Sequence, residues 1–266
     1  MRLRTTTLVT AALLGTGPVG LAALPAAAAA CTAPEVVSTA ASPRTVVVGS
    51  TGTDGFDVRL AVRANGCQVS AVGAVATSPT KTARGLALTA VSTVDDVTTY
   101  AGRVDLDAAD LDNADAGTWR VRTATQWAGA PPVEEGSADD ATDVDNPLVS
   151  TAKVSVVAAS QLTADATSAA MKKNKIRKGK AVTVEGALVR ADWESADYTG
   201  YAKQRVELQF RTTTGSYKKV KSVNTRAGGR FTTTVKATRD GCFRVLYAGS
   251  KTTAAAPSTA ECLDVR

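Results

Sequence analysis

The sequence predicts an all-β protein, two β-sandwiches in tandem after an export signal, and three observations carry that prediction. Short runs alternate apolar and polar residues, the period of two that marks a strand with one buried face. Gly, Asn and Pro punctuate these runs at short intervals, as they do in sandwiches. Long helical periodicity of Leu, Glu and Lys is missing, in a chain of 266 residues with 5% aromatics and two methionines.

Residues 1–30 read as a signal peptide. Arg2 and Arg4 give a positive start, Leu8 to Leu24 an apolar stretch, and Pro25 to Ala30 several small-residue cleavage choices. Gly15, Gly17, Pro18 and Gly20 interrupt the apolar run, and no Lys or Arg flank follows it. A membrane anchor is therefore disfavoured, and no second run of spanning length appears.

Residues 31–158 form the first sandwich. "RTVVVG" precedes "GFDVRLAVRANG", where Phe56, Val58, Leu60 and Val62 share a face. Asn65-Gly66 predicts a tight hairpin turn, with Cys67 opening the returning strand. "GLALTAV", "TYAGRVDL", "GTWRVRTAT" and "TAKVSVV" supply further strands. The acidic stretch from Gln126 to Pro147 reads as a surface loop. Residues 159–173 read as a linker, with a lead strand as the alternative. Residues 174–266 form the second sandwich, from "KGKAVTVEGAL" through "QRVELQFR", "SYKKVKSVNT" and "GGRFTTTVKA" to a final hairpin, "CFRVLYAG" against "ECLDVR".

In that hairpin, antiparallel pairing around Thr252 makes facing positions sum to about 504, so Cys242 and Cys262 meet. Such a bond closes a loop worth about 3 kcal/mol of chain entropy. All four cysteines lie after the export signal, which suits an oxidising compartment. Of three connectivities, Cys31–Cys67 with Cys242–Cys262 keeps each bond within one half. Acylation of Cys31 is the alternative, against which stand Ala28 three residues before it and a Cys67 left without a partner.

Charge divides the chain. Residues 31–158 carry 9 Lys and Arg against 16 Asp and Glu, and residues 159–266 carry 20 against 9. Either the halves dock on one another, or the basic half meets an anionic polymer.

The second half resembles a recurring module of secreted proteins from high-GC Gram-positive bacteria. The resemblance is carried by "KGKAVTVEGAL", the loop with Trp193, Tyr198 and Gly200, "VELQFRTTTGSYKKVKSV", "GGRFTTTV" and "CFRVLYAGS". "DLDNADAGTWRVRTAT" is similar to a segment of the partner domain in such proteins. The resemblance implies tandem immunoglobulin-like sandwiches, and some of these proteins have been called calcium-binding. Cys242 departs from the module's usual small residue.

There is no histidine. That excludes Ser-His-Asp triads, Cys-His pairs and zinc hydrolases of the usual ligand sets. Ser78 and Lys81 fit the spacing of a serine–lysine dyad, but Ser216 and Lys219 fit it too, and no partner motif follows either. Asp105, Asp107, Asp110, Asp112 and Asp115 are hard oxygen ligands suited to Ca²⁺. An EF-hand is excluded, because position 110 or 115 would have to be Gly. An irregular inter-strand site remains, with Asp139, Asp140, Asp143 and Asp145 as a second candidate.

Lys172, Lys173, Lys175 and Lys178 lie in a ten-residue stretch with six basic residues. It fits either an anionic partner or a solvated linker. Trp127, Trp193 and Tyr198 are candidate aromatic contacts, or rings that close the end of a core. Nothing reads as a nucleic-acid motif. The sequence thus points to an exported, non-catalytic binding or scaffolding protein, secreted or associated with the cell wall. It needs no cofactor, and its partner is an anionic wall polymer, a glycan or another envelope protein. A Ca²⁺-binding secreted protein is the alternative.

Overall fold

The computed structural model describes residues 31–128, 148–169 and 171–266, and residues 32–266 belong to one compact unit. The predicted signal peptide and nearly all of the acidic loop lie outside the described residues. The fold is all-β, and its helical pieces among the described residues are single 3-10 turns such as Ala108–Asp110, Asn113–Asp115 and Ala227–Gly229.

The first sandwich contains β1 (Glu35–Ser42), β2 (Thr45–Val48), β3 (Thr53–Arg63), β4 (Val69–Thr77), β5 (Ala83–Ala87), β6 (Thr89–Val94), β7 (Val97–Asp107), β8 (Gly117–Trp127) and β9 (Ser150–Ala158). Its sheets run β1-β3-β7-β6 and β2-β9-β8-β4-β5. The second contains β10 (Ser160–Thr167), β11 (Lys175–Ile176), β12 (Ala181–Asp192), β13 (Asp197–Gly200), β14 (Arg205–Arg211), β15 (Lys218–Asn224), β16 (Arg230–Lys236), β17 (Gly241–Tyr247), β18 (Ala256–Pro257) and β19 (Glu261–Val265). In it β12 pairs with β10, β13 and β16, facing a sheet ordered β11-β19-β17-β14-β15 with β18 beside β17.

Both halves split their lead strand between the two sheets. β1 pairs antiparallel with β3, the chain turns at a cis Ser42–Pro43 bond, and β2 pairs parallel with β9. β10 pairs antiparallel with β12, and β11 pairs parallel with β19. Together with antiparallel pairing elsewhere, this is the strand arrangement of immunoglobulin-like sandwiches.

Alternation puts Phe56, Val58, Leu60 and Val62 of β3 into the first core against Trp119 and Val121 of β8. Val182, Val184 and Leu188 of β12 meet Val206, Leu208, Val245 and Tyr247 in the second. Cys242 and Cys262 are directly opposed and bonded, at the predicted register. Cys31 and Cys67 are also disulfide-bonded, and no cysteine is free.

One expectation is corrected and another refined. Asn65 and Gly66 both take the positive φ of a tight turn, 50° and 78°, but the turn does not join paired strands. β3 pairs with β1 and β7 while β4 pairs with β5 and β8, so the chain crosses from one sheet to the other. Within residues 159–173, the alternative reading of a lead strand holds for residues 160–167, which form β10. Leu162 and Ala164 are buried at alternate positions of β10, which makes eight pairs with β12. The connection between the sandwiches is Ala159 alone.

Candidate functional site: the seam and the basic pole

With one residue between β9 and β10, the two sandwiches share backbone hydrogen bonds at their junction. Ala159 N–H donates to Val48 O at 2.8 Å, and Ala191 N–H donates to Ala159 O at 2.8 Å. Ala158 N–H donates to Thr252 O at 3.0 Å, and Ala254 N–H donates to Ala158 O at 2.9 Å.

Side chains complete the seam. Trp193, just past the end of β12, is 3% exposed and packs into the core of the first sandwich, with Ala191 beside it and Tyr198 partly buried against it. Its indole Nε1–H donates to Gly49 O at 2.8 Å. Asn113, in the loop between β7 and β8, donates from Nδ2 to Asp192 Oδ1 at 2.7 Å and accepts from the Trp193 backbone N–H at 3.2 Å. The Asn113 bond holds the Asp192 carboxyl below its ordinary range against a smaller effect of burial, with help from the Ser195 and Glu194 backbone. Among the described residues, no ion pair crosses this seam; every carboxylate–cation pair lies within one sandwich.

Next to the seam sits a buried carboxylate. Asp115 is 1% exposed. Its Oδ1 accepts from Ser78 Oγ at 2.7 Å, from Thr82 Oγ1 at 3.0 Å and from Thr80 Oγ1, and its Oδ2 accepts from Asp112 N–H at 3.0 Å. Burial alone would raise this carboxyl's pKa, but the four hydrogen bonds outweigh it and leave it lowered. Ser78 is therefore a structural donor buried at 6% exposure, and Lys81 is an exposed residue of the adjoining turn.

The remaining candidate ligands disperse. Asp105 pairs with Arg103 at 2.9 Å, Asp107 caps Ala109 N–H at 3.0 Å, and Asp110 lies 3.7 Å from Arg84. With Asp115 occupied by hydroxyls, Asp105, Asp107, Asp110, Asp112 and Asp115 do not gather into a metal centre. Among the described residues, no three His, Cys, Asp or Glu side chains are placed to hold an ion. Asp139, Asp140, Asp143 and Asp145 lie outside the described residues.

β12 runs toward the seam, so its start marks the far pole of the second sandwich. Lys172 and Lys175 are exposed and exchange two backbone hydrogen bonds across a turn in which Lys173 and Asn174 have positive φ. Lys178 is exposed nearby, where its N–H donates to Arg266 O at 2.7 Å. The four predicted lysines thus share one pole. Of the predicted aromatic contacts, Trp127 is half-buried opposite Val69 at the other end of the molecule, and Tyr198 is half-buried at the seam. Trp193 is no exposed ring: burial of its ring and satisfaction of its N–H make it a joint.

No protein-family profile and no curated protein matches the chain. Solved structures similar to it include a two-domain fibronectin type-III segment from chicken tenascin, at 14% identity over 87% of this chain and 98% of that one, with a TM-score of 0.37. The three N-terminal domains of the highly immunogenic outer capsid protein of bacteriophage RB49 match at 10% identity over 88% and 70%, with a TM-score of 0.31. A superoxide reductase from Ignicoccus hospitalis matches 40% of this chain and 80% of its own at 11% identity, with a TM-score of 0.27. No function transfers from likenesses at this level.

Proposed function

We propose that the chain is exported and serves outside the cell as a non-catalytic binding or scaffolding module. Two immunoglobulin-like sandwiches are held end to end, and the basic one engages an anionic polymer of the cell envelope. The observation that carries this reading is the seam. It is built from an indole, an amide bonded to the Asp192 carboxylate, and backbone groups, and among the described residues no ion pair between the oppositely charged halves crosses it. A pole where exposed lysines outnumber the acids beside them is a surface that attracts polyanions. Oxidised cysteines fit an extracellular setting, and no helix among the described residues is long and apolar enough to cross a membrane.

The test is retention on isolated cell walls at low and high salt. Retention should fall as salt rises. Replacing Lys172, Lys173, Lys175 and Lys178 with Gln should reduce it further. Retention indifferent to salt, or no retention at all, would remove the anionic partner from the reading.

A further inference from the structure

The sheet β11-β19-β17-β14-β15 has an outer face at the same pole. Alternation sends Val206, Leu208 and Phe210 of β14 inward, so Gln209, itself buried, and half-buried Arg211 lie on the outer face. On β17 Phe243 and Val245 are buried, so Cys242 and Arg244 face out. Register sets Gln209 opposite Arg244 and Arg211 opposite Cys242, making Arg211 and Arg244 diagonal neighbours on adjacent strands.

Both guanidiniums stack on one ring. Their central carbons lie 4.8 Å (Arg211) and 3.9 Å (Arg244) from the centroid of Tyr217. Arg244 Nε–H donates to Gln209 Oε1 at 2.9 Å, which orients its plane. Neither arginine has a carboxylate partner among the described residues. The nearest acid on the face, Glu207, is taken by Lys219 Nζ at 2.6 Å. Arg211 Nε is buried with no acceptor.

Two like charges gathered on one ring, with no counter-charge and an unmet donor, form an incomplete arrangement. We infer that it is a binding site for phosphate groups, supplied by a phosphate-bearing polymer. A carboxylate brings a single negative charge, whereas a terminal phosphate group brings close to two, with three acceptor oxygens. Two forks oriented by a ring and an amide call for the larger oxygen set of a phosphate. On β15 it is Lys219, opposite Gln209, that shares this face, and its pairing with Glu207 leaves the two guanidiniums as the free positive charge there.

This deepens the anionic-partner reading and rests on it, so the test separates the two. The probe is short-chain inorganic polyphosphate, titrated calorimetrically into the purified chain, with polygalacturonate as the carboxylate comparison. The double variant Arg211→Lys and Arg244→Lys keeps the charge but loses both forks, and should bind polyphosphate about tenfold more weakly. The variant with Lys172, Lys173, Lys175 and Lys178 changed to Gln should lose only about two- to threefold and show a shallower salt dependence. In the unaltered protein, the Arg211 Nε–H resonance should shift on titration, a readout that needs no variant to fold.

Unchanged binding by the double-lysine variant, a stationary Arg211 signal, or equal affinity for polygalacturonate would overturn the site. If only the lysine-tip variant lost binding, the anionic-partner reading would stand without it. If the unaltered chain bound neither polymer, both would fall.

Discussion

The two sandwiches share a strand plan, and each has a buried core and a disulfide, but they place their further reinforcement differently. The first is held from within: Trp119 and Phe56 fill its core, and the Asp115 carboxylate ties Ser78, Thr80 and Thr82 to the Asn113–Asp115 turn. The second adds to its core on the outside: the Cys242–Cys262 bond and the Tyr217 stack both lie on the outer face of one sheet. A carboxylate enclosed by donors needs no counter-ion. A half-buried cationic stack with no carboxylate partner keeps its charge available. The first half is thus organised for rigidity and the second for contact.

The seam is where this comparison breaks first. Trp193→Ala would empty the joint and leave a cavity in the first core, costing about 3–5 kcal/mol. Denaturant unfolding should then resolve into two transitions, where the unaltered protein shows one. A single transition at lower denaturant would mean the sandwiches are coupled by the backbone bonds around Ala159 alone.

Removing the outer staple comes next. Replacing Cys242 and Cys262 with Ser should lower stability by about 3 kcal/mol. The loss should fall on the second sandwich, read as earlier hydrogen exchange in β17 and β19. An equal loss in β3 and β8 would contradict the division between the halves.

The inner clamp follows. Asp115→Asn keeps the volume but loses the charge that three hydroxyls and an N–H recognise, at a cost of about 1–3 kcal/mol. The sign of its pH dependence is fixed. Because the folded carboxyl's pKa is lowered, its stabilisation is fully present above the ordinary carboxylate range and is lost as pH falls through the lowered folded value. The unaltered protein should therefore lose more stability on acidification than Asp115→Asn does, in melts followed from neutral pH into the acid range. Parallel pH profiles would show that Asp115 is not ionised in the fold.

The smallest effect belongs to Asn113→Ala, which frees the Trp193 N–H and one bond to Asp192 while leaving the indole seated. A loss of about 1 kcal/mol is expected. It should come with raised backbone mobility between Asp192 and Asp197, measured by nuclear relaxation. A loss as large as that of Trp193→Ala would make the amide, and not the ring, the joint.

Much of the fold was legible because strands declare themselves locally. Phe56, Val58, Leu60 and Val62 needed only their spacing, and Cys242 with Cys262 needed only a turn centre and a count. The turn at Asn65-Gly66 was legible too, but a two-residue turn cannot say whether the next strand pairs or crosses to the other sheet. β10 resembles a linker in sequence because "SQLTADAT" buries only small or few apolar side chains, and its partner β12 begins fourteen residues after it ends.

The candidate site was less legible, for a related reason. The lysines from 172 to 178 stand together in sequence and stand together at the pole. Trp193 offered an aromatic in a polar loop, and nothing local distinguishes a ring that faces solvent from one that enters a neighbouring domain. Asn113, Arg211, Tyr217 and Arg244 carry no local signal, being ordinary residues one at a time.

By itself, then, the sequence determined the strand periods, the oxidisable pairs, the division of charge and the exclusion of histidine chemistry, since each of these belongs to single residues or near neighbours. Only the tertiary structure decided that an indole joins the two halves, that the aspartates scatter, and that two arginines share a ring. Those depend on register and on packing between segments tens of residues apart, where each contact is set by the whole fold and no short stretch encodes it.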